Sequence, residues 1–178
     1  MDSIVPTAAF AEDQQHAEEV LIVHVAHRTA NALTAIATVG TLVRRVAYPQ
    51  TTPRLLPALL RGNAAALLLG VVAGVALTEG KMQGEDKIAW QDRSYRLLSN
   101  ENQNAIDRWS AGGALAGFTW FGITTGKKGG FLVRSIGGAG LGSVLGLASY
   151  AAYTQAQKAG LVDDLMAKVQ ELRKQNGI

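Results

Sequence analysis

Residues 64–77 read AAALLLGVVAGVAL and contain only alanine, leucine, glycine and valine. A helix on the surface of a soluble protein carries a polar face, and this run offers none. The sequence has four stretches without a charged residue, which are Thr29–Val43, Gly62–Thr78, Trp109–Gly126 and Ser135–Gln157. We therefore predict an all-α fold, a bundle of four transmembrane helices with short amphipathic helices near the ends of the chain.

The four uncharged stretches are short for transmembrane helices. A helix of about 17 residues is about 26 Å long, whereas the hydrocarbon layer of a bilayer is about 30 Å thick. Flanking arginines and lysines lengthen such a span, because their stems lie along apolar surface while their charges reach water. The alternative is a soluble, glycine-rich helical protein, in which each surface helix would need a polar face.

Charge is distributed unevenly between the uncharged stretches. The connection from Arg44 to Arg61 holds four arginines and no acid, and that from Lys127 to Arg134 holds three cations and no acid. Cationic connections stay on the electrically negative side of a membrane. We expect the first and third connections to lie on that side, with both termini on the other.

Composition excludes several classes of function. The 178 residues contain no cysteine, so disulfides and thiolate metal sites are absent. The formal net charge is +3, and the cations flank apolar helices rather than forming one polar face, which argues against nucleic-acid binding. Acids precede Arg28, the first arginine, and this argues against a cleavable secretory signal or transit peptide.

The chain divides into three parts in this interpretation. They are a polar N-terminal segment and helix at 1–26, a four-span membrane domain at 27–157 and a C-terminal amphipathic helix at 158–178. Within the first part, Glu12–His27 reads as helix. Helical spacing of apolar residues from Ile88 to Leu98 predicts a short surface helix, and Asn100–Asn104 predicts a turn.

Small residues recur at every fourth position inside the predicted spans. The candidate helix-packing residues are Gly62, Gly70, Gly74, Gly113, Gly117, Gly122, Gly138, Gly142 and Gly146. Lipid provides no hydrophobic force between helices, so close approach of the backbones must supply the contact energy, and glycine permits it. We interpret these positions as helix interfaces, and the alternative is a glycine-lined permeation path.

The cations beside the spans form a second group of candidate site residues. Those assigned to lipid head groups are Arg44, Arg45, Arg61, Lys127, Lys128 and Arg134, and Arg54 lies among them in the sequence. They fix the orientation of the chain in the membrane. A basic pocket between helices would in addition hold cardiolipin or another anionic phospholipid.

Catalytic motifs are absent from the sequence. There is no P-loop, no HExxH motif and no nucleophile elbow, and none of the four uncharged stretches contains a carboxylate. His24 and His27 lie three positions apart on one helical face, and we expect them to be solvated or interfacial rather than metal ligands. We therefore predict no enzymatic activity, no cofactor and no metal.

Four short motifs resemble the mitochondrial inner-membrane translocase-channel family, and in particular its translocase-like accessory subunits of respiratory complex I, of fungal type. They are His27-Arg28, Val39-Gly40-Thr41 followed by Arg44-Arg45-Val46, the run Gly112–Gly117, and the run Gly137–Gly142. Import members of that family carry an arginine followed shortly by an aspartate among the central glycines. Here Arg134 has no aspartate after it until Asp163, which favours the accessory subunits.

The resemblance implies a non-catalytic subunit that stabilises the complex I membrane arm by helix packing and lipid contacts. It implies residence in the mitochondrial inner membrane, both termini in the intermembrane space, and the core and accessory membrane subunits as partners. Two alternatives stay open: a component of an inner-membrane protein-import translocase, and a self-associating assembly factor.

Overall fold

The computed structural model describes residues 7–50, 54–124, 130–161, 168–169 and 172, and in that part of the chain the fold is all-α, without strands. A 3-10 turn at Ala11–Asp13 precedes five α-helices. The helices are α1 (Ala17–Ala47), α2 (Leu55–Met82), α3 (Lys87–Leu98), α4 (Glu101–Thr124) and α5 (Phe131–Lys158).

Three of the five helices, α1, α2 and α5, are long and apolar enough to cross a membrane. They comprise 31, 28 and 28 residues, so each extends well beyond its uncharged stretch. At about 1.5 Å per residue all three helices are longer than the hydrocarbon layer is thick, because each continues past its uncharged stretch into charged residues. The fourth predicted span corresponds to α4, which is not among the three helices that are long and apolar enough to cross a membrane.

The helices form two antiparallel pairs. In the first pair Gly70 of α2 lies against the backbone of Ala30 of α1, and Gly74 lies against that of Ala26. Residue numbers therefore rise along α2 as they fall along α1, which makes the two helices antiparallel. In the second pair α4 and α5 contact each other with the same reversal of direction. Two helices that touch through glycine and alanine can approach closely enough for their backbones to meet.

The two pairs join through α5. Gly137 lies against the carbonyl group of Leu60, and Gly140 lies against Asn63 and Thr34, so α5 contacts both α2 and α1. The positions on α2 and α5 increase together, which makes these two neighbouring helices parallel.

The short helix α3 covers one end of the bundle. Asp86 caps it by accepting a hydrogen bond from the Ala89 backbone N–H at 2.8 Å. Trp90 packs with Met82 at the end of α2 and with Leu21 near the start of α1 in a small apolar cluster. The surface helix predicted from the spacing of Ile88 to Leu98 is thus observed, and it ties α1, α2 and α3 together at this end.

Two local predictions differ from the structure. Asn100–Asn104 is not a free turn, because α4 begins at Glu101 and the Asn100 side chain accepts from the Gln103 backbone N–H at 3.1 Å as its cap. The predicted helix over Glu12–His27 begins only at Ala17. Lys127, Lys128 and most of the predicted helix at 158–178 lie outside the described residues.

Candidate functional site

The most completely buried side chains of the bundle are polar, whereas many large apolar side chains are exposed on its exterior. The largest fully buried side chains are Asn63, Thr34, Ser94, Ser110 and Ser135. Large aliphatic and aromatic side chains are exposed on every long helix, among them Ile36, Leu69, Trp120 and Leu145. A soluble protein places these two classes of side chain the other way round. The outer surface therefore suits contact with lipid or with other apolar helices.

One face of α1 carries a line of buried and partly buried polar side chains. Its members are His24, His27, Asn31, Thr34 and Thr38. They follow one another at intervals of three or four positions, which aligns them along one side of the helix. We call this line of side chains the polar face of α1. It meets α4 at its start, α5 in its middle and α2 at its end.

The contact with α2 is the most complete of the three. The Thr38 hydroxyl donates to Asn63 Oδ1 at 3.1 Å and accepts from Asn63 Nδ2 at 3.0 Å. Asn63 Nδ2 also lies 3.0 Å from the carbonyl oxygen of Leu59 in its own helix. Asn63 is completely buried, and these contacts satisfy both ends of its amide.

The contacts with α5 and α4 continue the same line. The Thr34 and Ser143 hydroxyls lie 3.5 Å apart, at the upper limit of a hydrogen bond. His27 Nε2 lies 2.8 Å from Ser110 Oγ and 3.1 Å from Asn31 Nδ2. The polar face therefore connects α1 to each of the other three long helices.

A charged cluster lies where α1 meets α4. Asp107 Oδ2 lies 2.9 Å from His24 Nδ1, and Asp107 Oδ1 lies 2.9 Å from Arg28 Nε. The second contact is an ion pair without the alignment of a hydrogen bond. Burial alone would raise the pKa of the Asp107 carboxyl, but the hydrogen bond with His24 and the charge of Arg28 outweigh burial and hold that pKa below its ordinary value.

The predicted packing glycines of α4 and α5 lie face to face. A methyl group added to Gly142 would overlap the carbonyl oxygen of Gly113, and one added to Gly138 would overlap that of Gly117. Gly146 lies in the same way against the backbone of Trp109. These positions have no room for a side chain because the neighbouring backbone is in the way.

The other predicted packing glycines differ in how closely neighbouring atoms approach them. Gly70 and Gly74 lie directly against the α1 backbone. A methyl group on Gly122 would come 2.7 Å from Ser135 Oγ, whereas one on Gly62 would make only ordinary contact, 3.7 Å from Thr41 Oγ1. Gly62 is therefore the position in this group that the structure constrains least.

The described cations of the predicted lipid group gather at one end of the bundle, which we call the cationic end. Arg44 and Arg45 lie in the last turn of α1, Arg61 lies near the start of α2, and Arg134 lies in the first turn of α5. Arg54, the N-cap residue of α2, adds a further cation there. Lys127 and Lys128 lie outside the described residues.

The polar face of α1 was not predicted from the sequence. His24 and His27 were expected at a solvated or interfacial position, yet both are partly buried and bonded to α4. The face could have been predicted from the spacing of Asn31, Thr34 and Thr38, which follow the two histidines at intervals of three or four residues. Among the described residues no group of three histidine, aspartate or glutamate side chains is placed to hold a metal ion.

A protein family described as a protein of unknown function (DUF1757) matches residues 13–152 of the chain. The matched range includes α1, α2, α3 and α4 in full, and α5 up to its last two turns. No curated protein matches the sequence.

Proposed function

The chain belongs to the DUF1757 family, and we propose that it is a non-catalytic accessory subunit of the membrane arm of mitochondrial complex I. In this role it stabilises the arm by packing its helices against core and accessory membrane subunits and against lipid. It has no catalytic residues, cofactor or metal of its own.

The observation that carries this proposal is the inverted distribution of polar and apolar side chains. Asn63, Thr34 and Ser110 are completely buried, whereas Leu69 and Trp120 are 62% and 65% exposed. Burial of hydroxyls and amides with their partners costs little, but exposure of a continuous aliphatic surface to water would be unfavourable. The bundle is therefore suited to a membrane and to apolar neighbours within it.

The parallel arrangement of α2 and α5 supports four spans rather than three. If both helices cross the bilayer in the same direction, the chain has to cross back between the end of α2 and the start of α5. The helix available for this crossing is α4, which runs antiparallel along α5 from Trp109 against Gly146 to Gly122 against Ser135. Its lower hydropathy is compatible with a position partly shielded by protein.

The proposed orientation follows from the charges. The cationic end, with Arg44, Arg45, Arg54, Arg61 and Arg134, faces the mitochondrial matrix. Both termini and α3 then lie in the intermembrane space. On the matrix side these cations attract anionic phospholipid head groups, including cardiolipin.

The architecture supports a structural role in a second way. The glycines that separate α4 from α5 and the hydrogen bonds of the polar face hold the four long helices at fixed distances. A rigid bundle of this kind offers its outer aliphatic and aromatic surface to neighbouring subunits.

Native-gel complexome profiling of mitochondria solubilised gently in digitonin tests the proposal. We expect the chain to migrate with complex I subunits at constant stoichiometry. Migration with the import machinery would replace the proposal by a translocase function. Migration alone as a small oligomer would replace it by a self-associating assembly factor.

A further inference from the structure

The start of α4 is tied to α1 by a small set of polar contacts, which we call the α1–α4 tether. Its members are His24, His27 and Arg28 of α1 with Asp107 and Ser110 of α4. They lie within about one turn of each helix, at the end of the bundle opposite to the cationic end. The tether therefore joins two helices that belong to different pairs of the bundle.

The hydrogen bonds of His27 fit a neutral imidazole. Its Nε2 lies 3.1 Å from Asn31 Nδ2 and 2.8 Å from Ser110 Oγ. An amide nitrogen donates and does not accept, so Nε2 accepts from Asn31 and carries no proton of its own. A protonated ring would still donate to the Ser110 hydroxyl, but it would direct an N–H group at the amide N–H of Asn31. Protonation thus removes one of the two contacts of this nitrogen.

The tether has one acid for up to three cations. The charges that act on His27 are those of Asp107 on α4 and of His24 and Arg28 on its own helix. Among the described residues, α2, α3 and α5 add no charge that acts on it. Asp107 already contacts His24 Nδ1 and Arg28 Nε, each at 2.9 Å. If both histidines take up a proton, α1 presents three positive charges to a single carboxylate.

Water screens these charges only in part. The side chains of His24, Arg28 and Asp107 are 13%, 32% and 22% exposed. Charges that are largely removed from water interact more strongly than charges on an open surface. An excess of positive charge in the tether is therefore unfavourable for the closed contact between α1 and α4.

Other contacts hold α4 to α5. Gly113 of α4 lies against Gly142, and the backbone of Trp109 lies against Gly146. Near the start of α4 the Tyr150 hydroxyl donates to Asn102 Oδ1 at 2.7 Å. None of these contacts uses a group that titrates near neutral pH. The interface between α4 and α5 therefore does not depend on the charge of the tether.

We propose that the α1–α4 tether is a pH-sensitive contact, in which protonation of both histidines separates the start of α4 from α1 while α4 stays packed on α5. At neutral pH the tether is closed, with a neutral His27. A proton on His24 is offset by Asp107. The next proton, on His27, has no further acid to offset it and removes the contact with Asn31.

The direction of the response follows from the number of bound protons. In the open form His27 reaches water and takes up a proton below the ordinary histidine pKa of about 6.5. In the closed form its Nε2 is an acceptor, so the open form binds more protons and gains population as the pH falls. Asp107 stays ionised in this range, because its pKa is held below its ordinary value.

This response goes beyond the proposed function, because it concerns the chain itself and not the complex that it joins. Under the orientation proposed above, the tether lies on the side of the intermembrane space. Acidification of that compartment would then loosen the start of α4.

Pulsed electron paramagnetic resonance on the full chain in phosphatidylcholine nanodiscs tests the proposal. The chain has no cysteine, so two introduced cysteines carry the spin labels. The pair Val23→Cys with Glu101→Cys reports the distance between α1 and the start of α4, and both positions are exposed. The pair Leu115→Cys with Leu145→Cys, also at exposed positions, reports the distance between α4 and α5.

Both label pairs are measured from about pH 7.5 to about pH 5, the range in which histidine titrates. The test variant is His27→Gln, whose side chain is neutral throughout. The matched control is His16→Gln, which removes a histidine that is 70% exposed and lies outside the tether. Asp107→Asn provides a second test in which His27 is kept.

We expect a second, longer distance between α1 and α4 to appear on acidification of the wild type. The ratio of open to closed forms rises by up to about tenfold per pH unit for each proton taken up. His27→Gln keeps the short distance throughout, and His16→Gln behaves as the wild type does. In Asp107→Asn the opening moves to higher pH by about one unit or more, because the offsetting acid is gone.

Four results would overturn the proposal. They are a distance between α1 and α4 that does not change with pH, opening that persists in His27→Gln, opening that is lost in His16→Gln, and opening of Asp107→Asn at the same pH as the wild type. Parallel lengthening of the distance between α4 and α5 would mean general acid unfolding and would overturn it as well. The nanodiscs contain no respiratory complex, so each result is independent of complexome migration.

Discussion

Thr38 of α1 and Asn63 of α2 bind each other in both directions, since the hydroxyl donates to Oδ1 at 3.1 Å and accepts from Nδ2 at 3.0 Å. Neither group reaches solvent to an appreciable extent. Each therefore depends on the other for its hydrogen bonds, and the pair fixes the register between the two helices.

Asn63→Ala is expected to lower the free energy of unfolding by about 1–2 kcal/mol, because it removes an interhelical hydrogen bond and leaves the buried Thr38 hydroxyl with less to bond. Unfolding in detergent mixtures, followed by circular dichroism, measures the loss. A double-mutant cycle with Thr38→Val isolates the pair. A coupling energy near zero would contradict the assigned hydrogen bonds.

Gly142→Ala and Gly112→Ala form a matched pair for the α4–α5 interface. A methyl group on Gly142 meets the Gly113 carbonyl oxygen, whereas Gly112 has nothing within 4 Å. We expect the first substitution to cost about 1–3 kcal/mol through overpacking. The second is expected to be neutral or to stabilise by up to about 1 kcal/mol through helix propensity. The same unfolding assay measures both, and equal effects would show that the close approach is not needed.

Asp107→Asn tests the charged cluster between α1 and α4. The pKa of Asp107 is lower in the folded chain than its ordinary value near 4, so the ionised carboxylate stabilises the fold at neutral pH. This contribution is lost as the pH falls below about 4 toward the folded-state pKa. We expect the variant to be less stable by about 1–2 kcal/mol at pH 7.

The same variant should lose less stability than the wild type on acidification below about pH 4. Urea or thermal unfolding at a series of pH values compares the two. Parallel stability curves for both proteins through this range would show that Asp107 does not contribute through its charge.

The all-α class and the helices α1, α2 and α5 could be predicted from the sequence. A long uncharged, apolar stretch has to satisfy its backbone hydrogen bonds within itself, and a helix does this. Gly113 and Gly117 could be placed on one face of α4, and Gly138, Gly142 and Gly146 on one face of α5, by their spacing of four residues. Their partners could not be predicted, since a stripe of small residues specifies close approach without specifying which helix approaches.

The polar face of α1 was missed for a related physical reason. Threonine, serine and asparagine in a membrane helix can bond to their own backbone, as Thr41 does to the Ala37 carbonyl oxygen at 2.7 Å. Spacing alone does not separate such residues from Thr38, which bonds across to Asn63. Burial decides between the two cases, and burial depends on the packing of all four long helices.

The helix boundaries were also set too narrowly at charged residues. Asp107 lies inside α4, where it pairs with Arg28 of α1, rather than in the connection before the third predicted span. A charge near the end of a membrane helix can be satisfied by a partner on the next helix, so it does not have to mark where the helix ends.

Cysteine accessibility tests the central claim, that four helices cross the membrane with α2 and α5 parallel. The chain has no cysteine, so single substitutions at Gln50, Gln83, Lys128 and Lys158 each provide one thiol. A membrane-impermeant maleimide is applied to sealed inner-membrane vesicles of known orientation. We expect Gln50→Cys and Lys128→Cys to be labelled from one side, and Gln83→Cys and Lys158→Cys from the other. Labelling of Lys128→Cys from the same side as Gln83→Cys would mean that α4 does not cross, and would contradict the account.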